Sequence, residues 1–187
     1  MSTQALKEKP SSWKFWTQFP DESDLLSVVE SSWDVEAGIV VSLGSNEYEL
    51  TEPLLIEAWT RRVAGGAELR LRLKTTVATL CGRCLRKLSF PLDEDFAYRF
   101  VSHDLQEQGE TEDGFFSEND TVILPLARVK GPVDVSDMVW ECLIVSLPQY
   151  PVCEEACADL DDFAQELDKG DPRLQVLADL LDEGEKS

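Results

Sequence analysis

Leu69-Arg70-Leu71-Arg72-Leu73-Lys74-Thr75-Thr76-Val77-Ala78-Thr79-Leu80 sets Leu69, Leu71, Leu73, Thr75, Val77 and Thr79 on one parity and Arg70, Arg72 and Lys74 on the other. A period of two marks a half-buried strand, because successive side chains leave a strand on opposite faces. Beyond Cys81-Gly82-Arg83-Cys84 a second run repeats the pattern. Leu88, Phe90, Leu92, Phe96, Tyr98 and Phe100 share one parity, interrupted only by Glu94. Two long strands around so short a connection read as a β-hairpin with the cysteine pair at its tip, where Gly82 is expected to supply a positive φ.

Working outward, Ala37 to Leu43 and Glu47 to Trp59 are strand-length apolar runs broken by Gly44, Ser45, Asn46 and Pro53, and Ala64-Gly65-Gly66-Ala67 marks a turn. Together they suggest an antiparallel meander. Residues 1–36 mix turn residues with short apolar clusters of no clean period and read as an arm with short elements. Past the hairpin, His103 to Asp120 carries seven carboxylates and no Lys or Arg, so residues 103–120 are expected to form a mobile acidic loop. A short strand over Thr121 to Leu126 and a turn at Gly131-Pro132 follow. Asp134 is then placed to cap a helix with Asp137 in its first turn. Val135, Met138, Val139, Cys142, Leu143 and Leu147 recur at helical spacing until Pro148, and Asp171-Pro172 opens a last helix. The expected fold is α+β: an antiparallel sheet or partial barrel with a long hairpin, a packed core helix and a C-terminal helix, in a single domain over residues 37–187.

At 187 residues with 43% hydrophobic and 29% charged side chains, the chain lies in the globular range. Its richest apolar stretch, Val139 to Leu147, contains Glu141 and Ser146 and falls short of the roughly 20 residues a membrane span requires. No membrane partner is expected, and without a secretory signal the expected home is the cytoplasm. Seventeen basic against 37 acidic residues give a net charge of −20, which argues against wrapping of nucleic acid by the whole surface. The charge is uneven, since Arg61 to Phe90 holds eight basic residues against Glu68 alone.

That segment frames the candidate binding residues. Arg70, Arg72 and Lys74 on the strand, with Arg83, Arg86 and Lys87 around the tip, suit RNA phosphates. The competing reading pairs the same cations with Asp93, Glu94 or Asp95 of the partner strand. Cys81-x2-Cys84 and Cys153-x3-Cys157 together offer four thiolates, the donor set of a tetrahedral Zn²⁺ site, against a reading in which they are hairpin-tip and core thiols. Cys142 lies on the apolar helix face and reads as packing. A thioredoxin-like use of Cys81 and Cys84 fits poorly between two strands. The single histidine, His103, borders the acidic run, and Gly65-Gly66 lacks the lysine and the strand–loop–helix frame of a phosphate loop, so no catalytic set is expected.

Leu80-Cys81-Gly82-Arg83-Cys84-Leu85, the strand with Phe90 and Glu94, Asp134 to Pro148 with Glu141, and Asp171-Pro172-Arg173-Leu174 resemble the YceD family of large ribosomal RNA subunit accumulation proteins, over roughly Leu69 to Leu181. The resemblance implies a non-enzymatic role in accumulation and processing of 23S rRNA, with large-subunit rRNA or its precursor, or a basic large-subunit ribosomal protein, as partner. Two rival readings stay open: an acidic holder of such a protein without RNA contact, and a thiol-dependent oxidoreductase. Many relatives carry further cysteines after the position of Cys157, where this chain reads Ala158-Asp159-Leu160-Asp161-Asp162. A metal site here is therefore confined to Cys81, Cys84, Cys153 and Cys157.

Overall fold

The computed structural model describes residues 5–101, 121–125, 131–153 and 157. The expected acidic loop over 103–120 and the helix opened by Asp171-Pro172 lie outside the described residues. Nine strands and one helix run in the order β1 (Trp16–Thr17), β2 (Val28–Val35), β3 (Val40–Leu43), β4 (Asn46–Leu50), β5 (Leu54–Val63), β6 (Gly66–Leu80), β7 (Lys87–Val101), β8 (Thr121–Pro125), β9 (Val133–Asp134) and α1 (Ser136–Ser146) among the described residues. This is the expected α+β arrangement, with a mostly antiparallel sheet that does not close into a barrel.

β6 organises the sheet. It pairs with β5 from Gly66 to Lys74, meets β4 at Val77 and Ala78, and pairs with β7 as well. Its inward residues Leu69, Leu71, Leu73, Thr75, Val77 and Thr79 are buried, whereas Arg70 and Lys74 are exposed and Arg72 is half-buried, so the register read from parity holds. β7 follows the same rule, with Leu92, Tyr98 and Phe100 buried. The connection from β5 to β6 is the two-residue turn Ala64-Gly65, whose left-handed Gly65 suits a tight hairpin. Gly66 has a separate reason to be glycine: a Cβ there would lie 2.1 Å from the Phe100 carbonyl oxygen.

Two details depart from the sequence expectation. β8 runs parallel to β7, pairing Ala97 with Thr121 through Val101 with Pro125. Asp134 is one residue too early to be the helix N-cap, which is Val135. Pairing of β1 with β9 holds Asp134 opposite Trp16 in extended backbone, yet its carboxylate still accepts the Ser136 amide at 2.9 Å and the Ser136 hydroxyl. At the other end Leu147 is extended, as expected of a residue before proline, and Pro148 ends the helix.

Contacts divide the chain into two compact units: the first holds Met1–Thr79 and Ser89–Gln149, the second Leu80–Leu88 and Tyr150–Ser187. The main hydrophobic core lies in the first unit, where the inward faces of β4 to β7 meet Val139, Cys142 and Leu143 of α1. Trp13 and Phe15 join that core, Trp13 against Trp140 and Phe15 against Trp33, while the Phe15 amide donates to the Ser136 hydroxyl at 2.8 Å. Cys142 packs as expected, its sulfur 3.0 Å from the Tyr98 hydroxyl. Among the described residues no helix is long and apolar enough to cross a membrane.

Candidate metal centre

The second unit is where the hairpin tip and the segment after α1 meet. The Cys81 amide donates to the Arg86 carbonyl at 2.8 Å and the Leu85 amide to the Cys81 carbonyl at 3.0 Å, folding Cys81 to Arg86 into a knuckle. The Gly82 amide donates to the Pro151 carbonyl at 2.8 Å, which ties that knuckle to the approach to Cys153. The residue with positive φ is Leu85, at 56°, and not Gly82 as expected. A Cβ added at Gly82 would stand 3.5 Å from the Pro151 carbonyl oxygen, an ordinary contact, so neither φ nor space demands glycine there.

This geometry gathers the four cysteines foreseen from their spacing. Cys81 Sγ is 3.8 Å from Cys157 Sγ, Cys84 Sγ is 3.6 Å from Cys153 Sγ, and all four sulfurs lie within 4.8 Å of one another. None is in a disulfide. A tetrahedral ion with metal–sulfur bonds of about 2.3 Å needs sulfur–sulfur edges of about 3.8 Å, so the donor set fits a metal ion. The electrostatics agree. Amides of Cys84 and Arg83 point at Cys81 Sγ, the latter at 3.4 Å, and pull its thiol down to about 6, although burial opposes them. Cys153, which shares its proton with Cys81 and Cys84, is pushed up to about 12, and burial raises Cys157. The amides that favour the charged form of Cys81 favour ion binding as well, since a metal ligates the thiolate.

The six candidate cations are distributed between the units. Arg83, Arg86 and Lys87 are exposed on the knuckle of the second unit. Arg70, Arg72 and Lys74 lie on the outer sheet face of the first, where β5 sets Trp59 opposite Arg70, Glu57 opposite Arg72 and Leu55 opposite Lys74. β7 brings carboxylates to the same face: Arg72 makes two hydrogen bonds to Asp93, at 2.7 and 3.0 Å, and Arg70 approaches Asp95 at 3.6 Å. Asp93 is held below the usual carboxylate range chiefly by its bond from Arg72. Both cross-strand pairings were among the alternatives open in the sequence. A cleft of about 630 Å³ lies on this face, lined in part by Trp59, Arg61, Arg70, Arg72 and Asp95.

Sequence reading missed the exposed apolar side chains of the second unit, Leu85 and Tyr150 above all. Tyr150 left one signal, an aromatic between Pro148 and Pro151 where no period calls for it.

An α+β sheet protein with a four-thiol knuckle able to hold a metal ion is the class that fold and site define. The chain belongs to the family described as Large ribosomal RNA subunit accumulation protein YceD, which it matches over residues 69–181. That match takes in β6 from Leu69 onward, β7, α1 and all four clustered cysteines, and associates the chain with accumulation of large-subunit ribosomal RNA. Comparison with curated proteins and with solved structures returns no match.

Proposed function

We propose that the protein is a non-enzymatic factor of large ribosomal subunit biogenesis, acting in the cytoplasm, that promotes 23S rRNA accumulation and processing by binding the rRNA or its precursor. The observation that carries this reading is that the family match spans a knuckle, Cys81 to Leu88, with three cations and no carboxylate in a chain of net charge −20. Arg83, Arg86 and Lys87 meet phosphates in this reading. Arg70, Arg72 and Lys74 form a second row, in which a phosphate competes with Asp95 and Asp93 for the two arginines. Zn²⁺ is the ion assigned to Cys81, Cys84, Cys153 and Cys157, since four thiolates suit its softness and tetrahedral preference. Four protein ligands leave no open coordination position, so the ion holds the knuckle together and performs no chemistry. Full burial of Cys81 also works against thiol exchange with an external substrate.

The test is fluorescence anisotropy of large-subunit rRNA segments over a series of salt concentrations. Joint replacement of Arg83, Arg86 and Lys87 by Ala is expected to weaken binding alike for different sequences. Each lost phosphate contact lowers the slope of log affinity against log salt by about 0.7 to 0.9. A second reading is favoured by the net charge of −20: an acidic holder of a basic ribosomal protein. Absence of RNA binding at low salt, with tight binding of such a protein unaffected by the triple substitution, transfers the function to that reading.

A further inference from the structure

We infer that the open edge of β2 takes up an extended segment of a basic partner protein as an added strand, one in which lysines or arginines alternate with apolar residues. The site lies in the first unit and uses none of the cations assigned to RNA, so it goes beyond the reading above.

The sheet path β2-β5-β6-β4-β3 has two ends, and the chain treats them differently. At β3 the edge is closed: the Leu6 amide donates to the Val40 carbonyl at 2.7 Å and the Ser42 amide to the Leu6 carbonyl at 2.8 Å. β2 pairs with β5 in unbroken register, Val28 with Arg61 through Val35 with Leu54, and no backbone bond reaches its other side among the described residues. Its eight residues include no proline, no lysine and no bulge, the usual devices that blunt an edge. A strand with unpaired N–H and C=O groups along one side is a template for another. Its side chains are unfinished as well. Val29 and Trp33, on the face turned to the core, stay half-buried, and Leu26 just before the strand is 96% exposed.

Charge at fixed positions selects the occupant. The outward face of β2 carries Glu30 and Asp34, both exposed and neither in a hydrogen bond or ion pair among the described residues. No Lys, Arg or His occurs from Phe15 to Thr60, a stretch described throughout, and over the whole first unit carboxylates outnumber cations by more than two to one. Unlike charges opposite each other stabilise a strand pair and like charges oppose it, so cations belong beside Glu30 and Asp34. On the other face the added strand meets Val29 and Trp33, which calls for apolar side chains at the intervening positions. A second copy of this chain does not fit, because antiparallel self-pairing centred on Ser32 sets Glu30 of each copy against Asp34 of the other.

The probe is a fluorescein-labelled peptide alternating lysine and valine over eight residues, the length of β2, titrated with the full chain at low salt and read by anisotropy. It is expected to bind and to slow hydrogen exchange over residues 28–35. Glu30→Gln with Asp34→Asn should weaken binding by about threefold or more, and Glu30→Lys with Asp34→Lys should transfer preference to a peptide with glutamate in place of lysine. Both positions are exposed, so these variants are expected to fold, which circular dichroism checks. Methylating alternate peptide amides removes the donors along one edge of the added strand, so one frame of methylation should abolish binding and the other should leave it. Joint replacement of Arg83, Arg86 and Lys87 by Ala should not affect the peptide, so failure here and failure of the RNA reading are told apart. Equal binding of a peptide with the same lysines and valines in two blocks, or indifference to methylation in both frames, overturns strand addition and leaves only diffuse attraction. Absence of binding overturns it too, in favour of a second copy where the parent chain is dimeric and its amides over residues 28–35 are already protected.

Discussion

Leu85 takes the backbone role that residue type assigns to Gly82. The left-handed residue that closes the knuckle is a leucine, while Gly82 has neither a positive φ nor a neighbour that a Cβ would crowd. Leu85→Gly is therefore expected to stabilise the knuckle, by up to about 1 kcal/mol after allowance for the greater freedom of glycine in the unfolded chain. Slower hydrogen exchange at the residue 85 amide, bonded to Cys81, is the readout. Gly82→Ala should change little, because its Cβ meets only an ordinary contact. Gly66→Ala is the opposite case: a Cβ 2.1 Å from a backbone oxygen forces β6 and β7 to shift, at a cost of about 1 to 3 kcal/mol in a thermal melt. Deeper in the first unit, burial pushes the Cys142 thiol up to about 12 and raises the Tyr98 hydroxyl above its ordinary range, with the neighbouring thiol adding to the latter. The folded chain keeps these protons while the unfolded chain releases them at ordinary values of 9.0 and 10.0. The contribution is thus complete below about pH 9 and is lost as pH rises from there toward 12. Cys142→Ser should delay the onset of this loss to the tyrosine range, read by tryptophan fluorescence melts across alkaline pH.

The long hairpin was legible because fifteen-residue strands write their alternation many times, and burial on one face enforces it. Short elements leave less. Trp13, Phe15 and Thr17 are buried while Lys14, Trp16 and Gln18 are exposed, a true period of two that the outward Trp16 obscures. Strand direction is not written in alternation at all: that β8 returns parallel to β7 depends on a connection of the dozen or more residues a parallel crossover needs, which residues 102–120 supply. Asp134 misled for a related reason, since a capping residue type marks a helix start only to within the residue or two that tertiary pairing then decides. At the site, cysteine spacing announced the four thiols, whereas the choice between RNA-facing and cross-strand-paired arginines depended on where β7 set Asp93 and Asp95. One consequence at this scale concerns Trp13, which packs between Phe15 and Trp140 in the core. Trp13→Ala is expected to destabilise the first unit by about 3 to 5 kcal/mol in urea unfolding, the loss typical of a large buried aromatic. A change under 1 kcal/mol would mean that the first twenty residues are an appendage and not part of the core.

At the scale of the whole chain, the division into two units assigns different sources of stability to each. The first unit holds the hydrophobic cluster, and every tryptophan of the chain, Trp13, Trp16, Trp33, Trp59 and Trp140, lies within it. The second contains all four clustered cysteines. A bound ion adds its binding energy to folding only where its ligands are, so metal removal is expected to act on the second unit. Protein purified without chelator should carry about one Zn²⁺ per chain by elemental analysis. Treatment with a strong chelator should then raise hydrogen exchange at residues 80–88 and 150–157 while the tryptophan-detected melting temperature of the first unit moves by no more than a few degrees. Mild acid should release the ion as well, because the thiolates that hold it take up protons as pH falls. Chelation that abolished the tryptophan transition would show that the sheet and α1 depend on the ion for their own folding. A fully folded preparation from zinc-replete cells with no metal would instead leave the sulfurs as packed thiols, held together by the Gly82 to Pro151 bond and the hydrogen bonds of the knuckle, and the cations of the tip would then rest on a scaffold without an ion.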